Sequence, residues 1–327
     1  MPMNNGKVTE NILKRSVLKN LKSVNEKVLV HPSVAGDSSV VNFDEYNRLV
    51  ISTNPVTYTN CNMGALAVNN IVNDLAASGC DPIGIMVNII MPSESEEVEL
   101  KSIIKELDAE ASKYGMEVLG GHTEVSDAVN RTIITITGIG GSNDEIAKAS
   151  NAKADMDIVV TKWIGLEGTI ILLMEHEEEL KDRFSMHFVE ETKALGECLS
   201  VLKEGNIARS MGATSMHNLS KGGILGGLWE MASAANLGLT VDMERLPLKQ
   251  ETVEICEFLN INPYELTSNG AMLIATNDGN GLVSKLNMEG IEATVIGRFN
   301  DSNDRIIINE GETRYLDMPK CDEIYKL

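Results

Sequence analysis

The sequence predicts an α/β protein of two layered domains, residues 1–148 and 149–327. Three observations carry this. The 327 residues exceed what one core of ordinary size fills. Along the chain the apolar residues switch repeatedly between a period of two and a period near 3.6. The polar stretch "GSNDEIAKASNAKADMD" (141–157) then separates two regions that each hold both patterns.

In order, an amphipathic helix is predicted over residues 9–21, then short strands at 39–41 and 49–52. A helix begins at Met63 and stops at Gly79, a residue suited to a left-handed cap. Ile83, Ile85, Val87 and Ile89 alternate as a strand that Pro92 ends. Ser93 and Glu96 have capping-box spacing before a helix whose stripe is Leu100, Ile103, Ile104, Leu107 and Ala111. Strands at 117–119 and 132–136 complete the first half. The second half opens with a strand at 158–161 and helices at 167–176 and 187–204. A Gly-rich turn and helix follow in "SKGGILGGLWEMASAANLG", then strands in "LTVDM", "GAMLIAT" and "ATVIGRF".

The formal charge of −20 disfavours nucleic acid and anionic membrane as partners, since both repel such a surface. A local phosphate site is compatible with it, because backbone N–H groups and Mg²⁺ hold phosphate without net charge. Five scattered cysteines, Cys61, Cys80, Cys198, Cys256 and Cys321, form no CxxC pair and fit reduced thiols. The first 20 residues hold no apolar signal core, and no apolar run reaches spanning length. A cytoplasmic protein is expected.

The stretch "VNNIVNDLAASGC" poses the sharpest chemical question. From residue 49 to 93 the only charged side chains are Asp74 and Asp81, and Asp74 sits in the most apolar helix. An unpaired buried carboxylate costs several kcal/mol (about 2 or more) or neutralises. Asp74 is therefore a Mg²⁺ ligand facing a site, or a carboxylate accepting backbone N–H bonds; the residues leave both readings open. In "GGHTEVS" (120–126) two glycines at a strand end allow close approach to a ligand, with His122, Thr123 and Glu124 beside them. The same residues also suit a tight turn before a helix cap. Asp37 in "AGDSSV" suits a metal ligand or an Asx turn. "NLSKGGILGG" offers amide groups at a helix start, with Lys221 as an added charge, or it is an ordinary helix start. Neither GxxxxGK[ST] nor GxGxxG occurs, which argues against P-loop and Rossmann enzymes.

Taken together, "AGDSSVV", "MGALAVNNIVNDLAASGCDPIGIMVNI", "EVLGGHTEVS", "ITGIGG", "VVTKWIGLEGTIIL" and "SMHNLSKGGILGGLWEMASAANLGLTVDMERLPL" resemble one superfamily in its order. It is that of the ATP-dependent enzymes related to aminoimidazole ribonucleotide (AIR) synthetase, the PurM-like fold. "GGHTE", "TKWIGLEGT" and "DEIYKL" are most similar to its hydrogenase-maturation, HypE-like branch. The resemblance implies an N-terminal domain that dimerises through its strands, a C-terminal α/β domain, and ATP in a cleft of the homodimer. It implies Mg²⁺ on Asp37 and Asp74, with Glu124 as a third oxygen donor. It implies a nucleotide pocket shaped by Asn70, Asn73, His122 and Thr123. Backbone groups at Gly120, Gly121, Gly138, Gly140, Gly141, Gly222 and Gly223 would meet phosphate. Lys221 and Glu124 would act on the phosphoryl group or the acceptor, a small molecule or carbamoyl-type group, with a maturation protein as a possible partner. The chain departs from the superfamily's acidic pattern at Asn54, His122 and Asn218. The HypE-like terminal cysteine has only Cys321, six residues from the last, as an equivalent. Besides this dehydratase-type reading, the expectations include a kinase resembling thiamine-monophosphate kinase and a nucleotide-binding maturation partner without turnover.

Overall fold

Strand pairing divides the chain before any helix is considered. The computed structural model describes Met3, residues 5–34 and residues 38–326. One unit comprises residues 1–75 and 80–144, the other residues 76–79 and 145–327.

The first unit is built on β1 (Gly6–Lys7), β4 (Arg48–Val56), β5 (Asp81–Met91), β6 (Glu117–Val125) and β7 (Ile133–Ser142), in the order β1-β6-β5-β7-β4. β5 and β6 are parallel, and the other pairs are antiparallel. β2 (Val28–Val30) and β3 (Val40–Val41) form a separate ribbon. α2 (Met63–Ala77) and α3 (Glu97–Lys113) supply the core side chains Leu66, Ile71, Leu75, Leu100 and Leu107, which are fully buried with Ile83, Ile85 and Ile89 of β5. β4 alternates along its length, leaving Leu49 and Ile51 50% and 60% exposed on the face turned from α2.

Three expectations change here. The helix expected over 9–21 is α1 (Glu10–Ile12), a wide π turn over Leu13–Val17 and a tight turn over Leu18–Asn20. The capping box is absent: α3 starts after Glu96, which makes no side-chain cap bond, while Ser93 lies in a turn closed by Ser95 N–H on the Pro92 carbonyl. β6 runs on through Val125, so the glycines expected at a strand end lie inside a strand.

Carboxylates pin the N-terminal segment. Arg15 and Ser16 bond Glu97, the amides of Lys22 and Ser23 donate to Asp108, and the Asn25 amide and His31 reach the buried Glu117.

The second unit has a seven-stranded sheet, β14-β13-β10-β12-β8-β11-β9. Its strands are β8 (Asp157–Thr161), β9 (Ser215–Asn218), β10 (Gly238–Asp242), β11 (Met272–Thr276), β12 (Ala293–Asn300), β13 (Arg305–Asn309) and β14 (Glu312–Tyr315). β8 and β11 are buried on both faces, hence their unbroken apolar runs. Ile158, Val160 and Leu273 pack with Leu228 and Met231 of α8 (Gly223–Ala235). Val159, Met272 and Ile274 pack with Ala208 of α7 (Leu202–Ser210) and Leu282 of α10 (Gly279–Met288). α4 (Leu166–Glu175), α5 (Glu177–Arg183), α6 (Met186–Ala194) and α9 (Gln250–Leu259) complete the unit.

The helix expected over 187–204 breaks into α6, a tight turn over Leu195–Cys198, and α7. The break frees carbonyls, and the buried Lys162 ammonium takes those of Cys198 and Ser200 while pairing with Glu204 at 2.6 Å. Both tryptophans carry a cation on the ring: Lys249 stands 3.9 Å from the Trp163 centroid and Arg305 4.1 Å from that of Trp229. Among the described residues the five cysteines form no disulfide. Among the described residues no helix is long and apolar enough to cross a membrane.

Arg15 and Ser16 hold the Glu97 carboxyl down at about 2, below its ordinary 4.5. A depressed carboxyl stabilises fully above its unfolded value and loses that contribution as pH falls through the folded one. Proteolysis of the N-terminal segment should therefore accelerate as pH drops from 4.5 towards 2. In Arg15→Ala the segment should be cut faster at neutral pH and the acceleration in acid should shrink, because Glu97 then titrates closer to its unfolded value; superimposable profiles would remove this ion pair as the anchor.

Candidate functional site

The expected site residues fall into three places. The first is the edge of β6. β1 pairs only with its end, at Glu124 and Val125, and the Val8 amide then donates to the Thr123 carbonyl at 3.2 Å. Two residues back, Gly121 faces the same edge, because carbonyls alternate along a strand. There a cavity of about 500 Å³ opens, within the range of small-molecule sites. Gly120, Gly121 and His122 line one side, and Leu13, Val17, Leu18 and Leu21 of the N-terminal turns line another. Ser33, Ser38 and Ser39 lie on either side of residues 35–37 and also line it; Ser39 Oγ donates to the Leu119 carbonyl. Gly121 has φ +151°, and a Cβ there would lie 1.7 Å from the Val87 carbonyl oxygen. Only glycine lets β6 approach β5 this closely. His122 Nε2 stands 2.9 Å from Glu124 Oε2, both partly exposed on one face of β6.

Asp74 lies elsewhere. Ser52 Oγ donates to its Oδ2 at 3.0 Å and Asn54 Nδ2 reaches the same oxygen at 3.4 Å, both from β4. Asp74 thus accepts from side chains of β4, and the oxygen-rich corner also suits a hard cation. Its helix neighbours are built into the core: Asn70 Nδ2 donates to Tyr58 Oη at 3.0 Å, Asn69 Nδ2 to Glu110 Oε1 at 3.0 Å, and Asn73 is fully buried. Asp37 lies outside the described residues.

β4 and β6 are three strand steps apart in the sheet order, about 14 Å at the usual 4.7–4.9 Å spacing. Register carries His122 across to Asn88, Thr135 and Pro55, the row on the face turned from α2, whereas Asp74 is on α2 itself. Asp74 and the His122–Glu124 pair therefore stand at opposite edges and on opposite faces of one sheet. Among the described residues no three His, Cys, Asp or Glu side chains come together as a metal site. Mg²⁺ is commonly held by one or two carboxylates with phosphate oxygens and water, so Asp74 or Glu124 fits as part of such a set.

Gly138, Gly140 and Gly141, expected as a phosphate-binding loop, lie in β7 and are paired on both sides, with β4 and β5. Their amides are committed to the sheet, and their missing side chains make room. A Cβ on Gly138 would come within 2.8 Å of Ile71 on α2, one on Gly140 within 3.0 Å of the Asp81 carbonyl oxygen, and one on Gly141 within 2.3 Å of the Tyr46 ring.

The third place is the start of α8. Gly222 is its left-handed N-cap, as the Gly-Gly pattern suggested, but the expected anion cradle is already filled. Asp322 Oδ2 accepts from the Gly222 amide at 2.6 Å, and its Oδ1 accepts from Ile324 at 2.8 Å and Thr267 at 3.3 Å. Burial pushes the Asp322 carboxyl above its ordinary value despite these bonds. Gly223 and Leu225 donate to the Ser220 and Tyr264 carbonyls. Asn218 is buried in β9.

Sequence reasoning passed over Asp322 and Glu167. Glu167, buried in the first turn of α4, accepts from Thr267 Oγ1 at 2.7 Å and lies 3.5 Å from Asn269 Nδ2. An acidic residue just after Gly165 was the available signal for it. "KCDEIYKL" gave none for Asp322.

Gly138→Ala should cost about 1–3 kcal/mol by forcing Ile71 aside, read from the denaturant midpoint; a neutral result would mean α2 has room to retreat. Asp322→Ala should cost about 1–3 kcal/mol by leaving the Gly222, Thr267 and Ile324 amides without their acceptor and raise amide exchange at Gly222. Exchange left unchanged would show that the carboxylate does not hold that amide.

Two family models match the chain: the N-terminal domain of AIR synthase related proteins over residues 35–141, and their C-terminal domain over residues 135–309. A Methanocaldococcus jannaschii protein named for hydrogenase expression/formation is 26% identical over 98% of this chain and 96% of its own length. Carbamoyl dehydratase HypE of Rhizobium leguminosarum is 27% identical over 81% of this chain and 74% of its own. A crystal structure of the hydrogenase maturation protein HypE in complex with ATP superposes with a TM-score of 0.81 at 17% identity, covering 98% of both chains.

Proposed function

Since the chain belongs to the AIR synthase related family, we propose that it is an ATP-using enzyme of the HypE-like type, working as a homodimer whose sites are shared between protomers. The observation that carries this reading is the placement of Asp74 and the His122–Glu124 pair at opposite edges and faces of one sheet. One protomer cannot bring them to one phosphate, whereas a second protomer whose β4 edge lies along this β6 edge can. The exposed Leu49 and Ile51 on the open face of β4 supply an apolar surface for that meeting.

In this reading ATP lies along the Gly120–Glu124 edge, where Gly121 leaves backbone uncovered and the leucines of the N-terminal turns give the base an apolar wall. Asp37, Asp74 and Glu124 are the residues that would hold Mg²⁺, which when bound neutralises charge on the transferring phosphate. The acceptor is a carbamoyl-type group. Its oxygen attacks the γ-phosphorus, and the bond from that phosphorus to the ADP oxygen breaks. Phosphate then leaves with the former carbonyl oxygen while nitrogen gives up two protons, so a carbamoyl group becomes a nitrile. His122, with its ring held by Glu124, is the nearest group to take a proton. Asn70 and Asn73 are assigned to shaping the helix that carries Asp74.

Phosphate release from MgATP, measured with binding on the same sample, tests the activity. Asp74→Asn and Glu124→Gln should each lower it at least tenfold while the fold survives. Mixing the two inactive variants and allowing subunit exchange should restore about a quarter of wild-type turnover, since half the dimers then carry one intact site of two. No recovery despite proven exchange would place both residues in one protomer's site. Full activity in either single variant would remove that residue from the machinery.

A further inference from the structure

Phenylalanine is scarce here, at five residues in 327. Phe299 lies in the core of the second unit, yet Phe184, Phe188 and Phe258 gather at its surface. The Phe184 and Phe188 rings stack with centroids 4.4 Å apart, and Phe258 meets Phe184 edge-on at 6.2 Å. Phe258 on α9 is 42% exposed. The aliphatic helix α4, buried from Leu166 to Leu173, underlies α5, α6 and α9 and already satisfies their inner faces. The aromatic cluster is thus surplus to that core. Aromatic residues gathered on a surface are the composition of interface centres.

The rim has one sign. α5, α6 and α9 carry nine carboxylates against three basic residues. Two of the three are committed: Lys181 pairs with Glu177 and Glu178, and Lys193 with Glu177. Arg183 lies over the Phe184 ring. Among the described residues, Asp182, Glu190, Glu251 and Glu257 have no ion pair. Glu254 and Glu251 stand one and two turns before Phe258 on the same helix face.

We propose that this patch docks a basic amphipathic helix of a partner protein, its apolar residues on Phe184, Phe188 and Phe258 and its lysines or arginines over the unpaired carboxylates. Helix-in-groove recognition uses this division of labour. A second copy of the chain is the wrong occupant, because a twofold contact would set the same carboxylates against one another. The inference stands apart from the nucleotide reading and uses none of its residues.

The test titrates full-length protein with a labelled 18-residue leucine–lysine peptide whose leucines recur at i, i+3, i+4 and i+7. A scrambled peptide of the same composition is the control. Expected is saturable one-to-one binding, with amide-exchange protection confined to α5, α6 and α9. Binding should fall at least about tenfold for the scrambled peptide and for Phe258→Ser, whose thermal midpoint is followed as the folding control. Glu251→Lys/Glu257→Lys should weaken it at low salt. Equal binding of the scrambled peptide, unchanged affinity in Phe258→Ser, or protection elsewhere would overturn the proposal. So would a concentration-dependent dimer that Phe258→Ser dissolves, since the occupant would then be a second copy.

Discussion

The close approach of α2 to its neighbours is the constraint on which the first unit depends. Two missing side chains permit it. Gly138 lets Ile71 rest directly on β7, and a Cβ on Gly64 would come within 2.5 Å of the Ile103 carbonyl oxygen on α3. With the helix this near the sheet, Asp74 reaches the Ser52 hydroxyl and the Asn54 amide on β4. A helix held farther out would leave that carboxylate without side-chain donors from the edge strand. The apolar surroundings that made Asp74 conspicuous follow from the same packing: only small or aliphatic residues fit so narrow a gap, and the asparagines are tolerated where Tyr58 and Glu110 meet them.

The β6 edge works by the opposite means. β1 is only two residues long, so among the described residues most of β6 has no strand partner on that side, and the N-terminal segment lies over it instead of completing the sheet. An exposed edge normally invites pairing with another chain. Here pinning by Glu97, Asp108 and Glu117 keeps the segment in place and turns the edge into the wall of a cavity. A chamber of this kind is made by chain that fails to become a strand.

Periodicity exposed most of the architecture because burial is what sets periodicity. β5, α3 and α8 could be read from their apolar residues alone, and the motifs placed the chain in its superfamily. The site was less legible, for reasons particular to each residue. Glycine in a strand and glycine in a loop look alike in sequence, so Gly138, Gly140 and Gly141 suggested amide groups free for phosphate when their role is clearance for Ile71, the Asp81 carbonyl and Tyr46. The β6 glycines misled in the other direction, towards a turn, because a φ near +150° inside a strand has no signature beyond glycine itself. Asp322 was invisible because its partner, the Gly222 amide, is 100 residues away. Long-range backbone acceptance leaves no local pattern. The break between α6 and α7 was missed likewise, since Lys162, which stabilises the freed carbonyls, lies outside any window that includes it.

The two tryptophans have an optical consequence. Trp163 and Trp229 both belong to the second unit, each under a cation, while the first unit contains no tryptophan. Emission excited at the red edge of absorption thus comes from one half of the molecule. It registers the loss of the Lys249 and Arg305 stacking contacts and is blind to the sheet that carries Asp74 and His122. Any melting curve followed by that light describes the second unit alone, and the first can loosen without a change in colour.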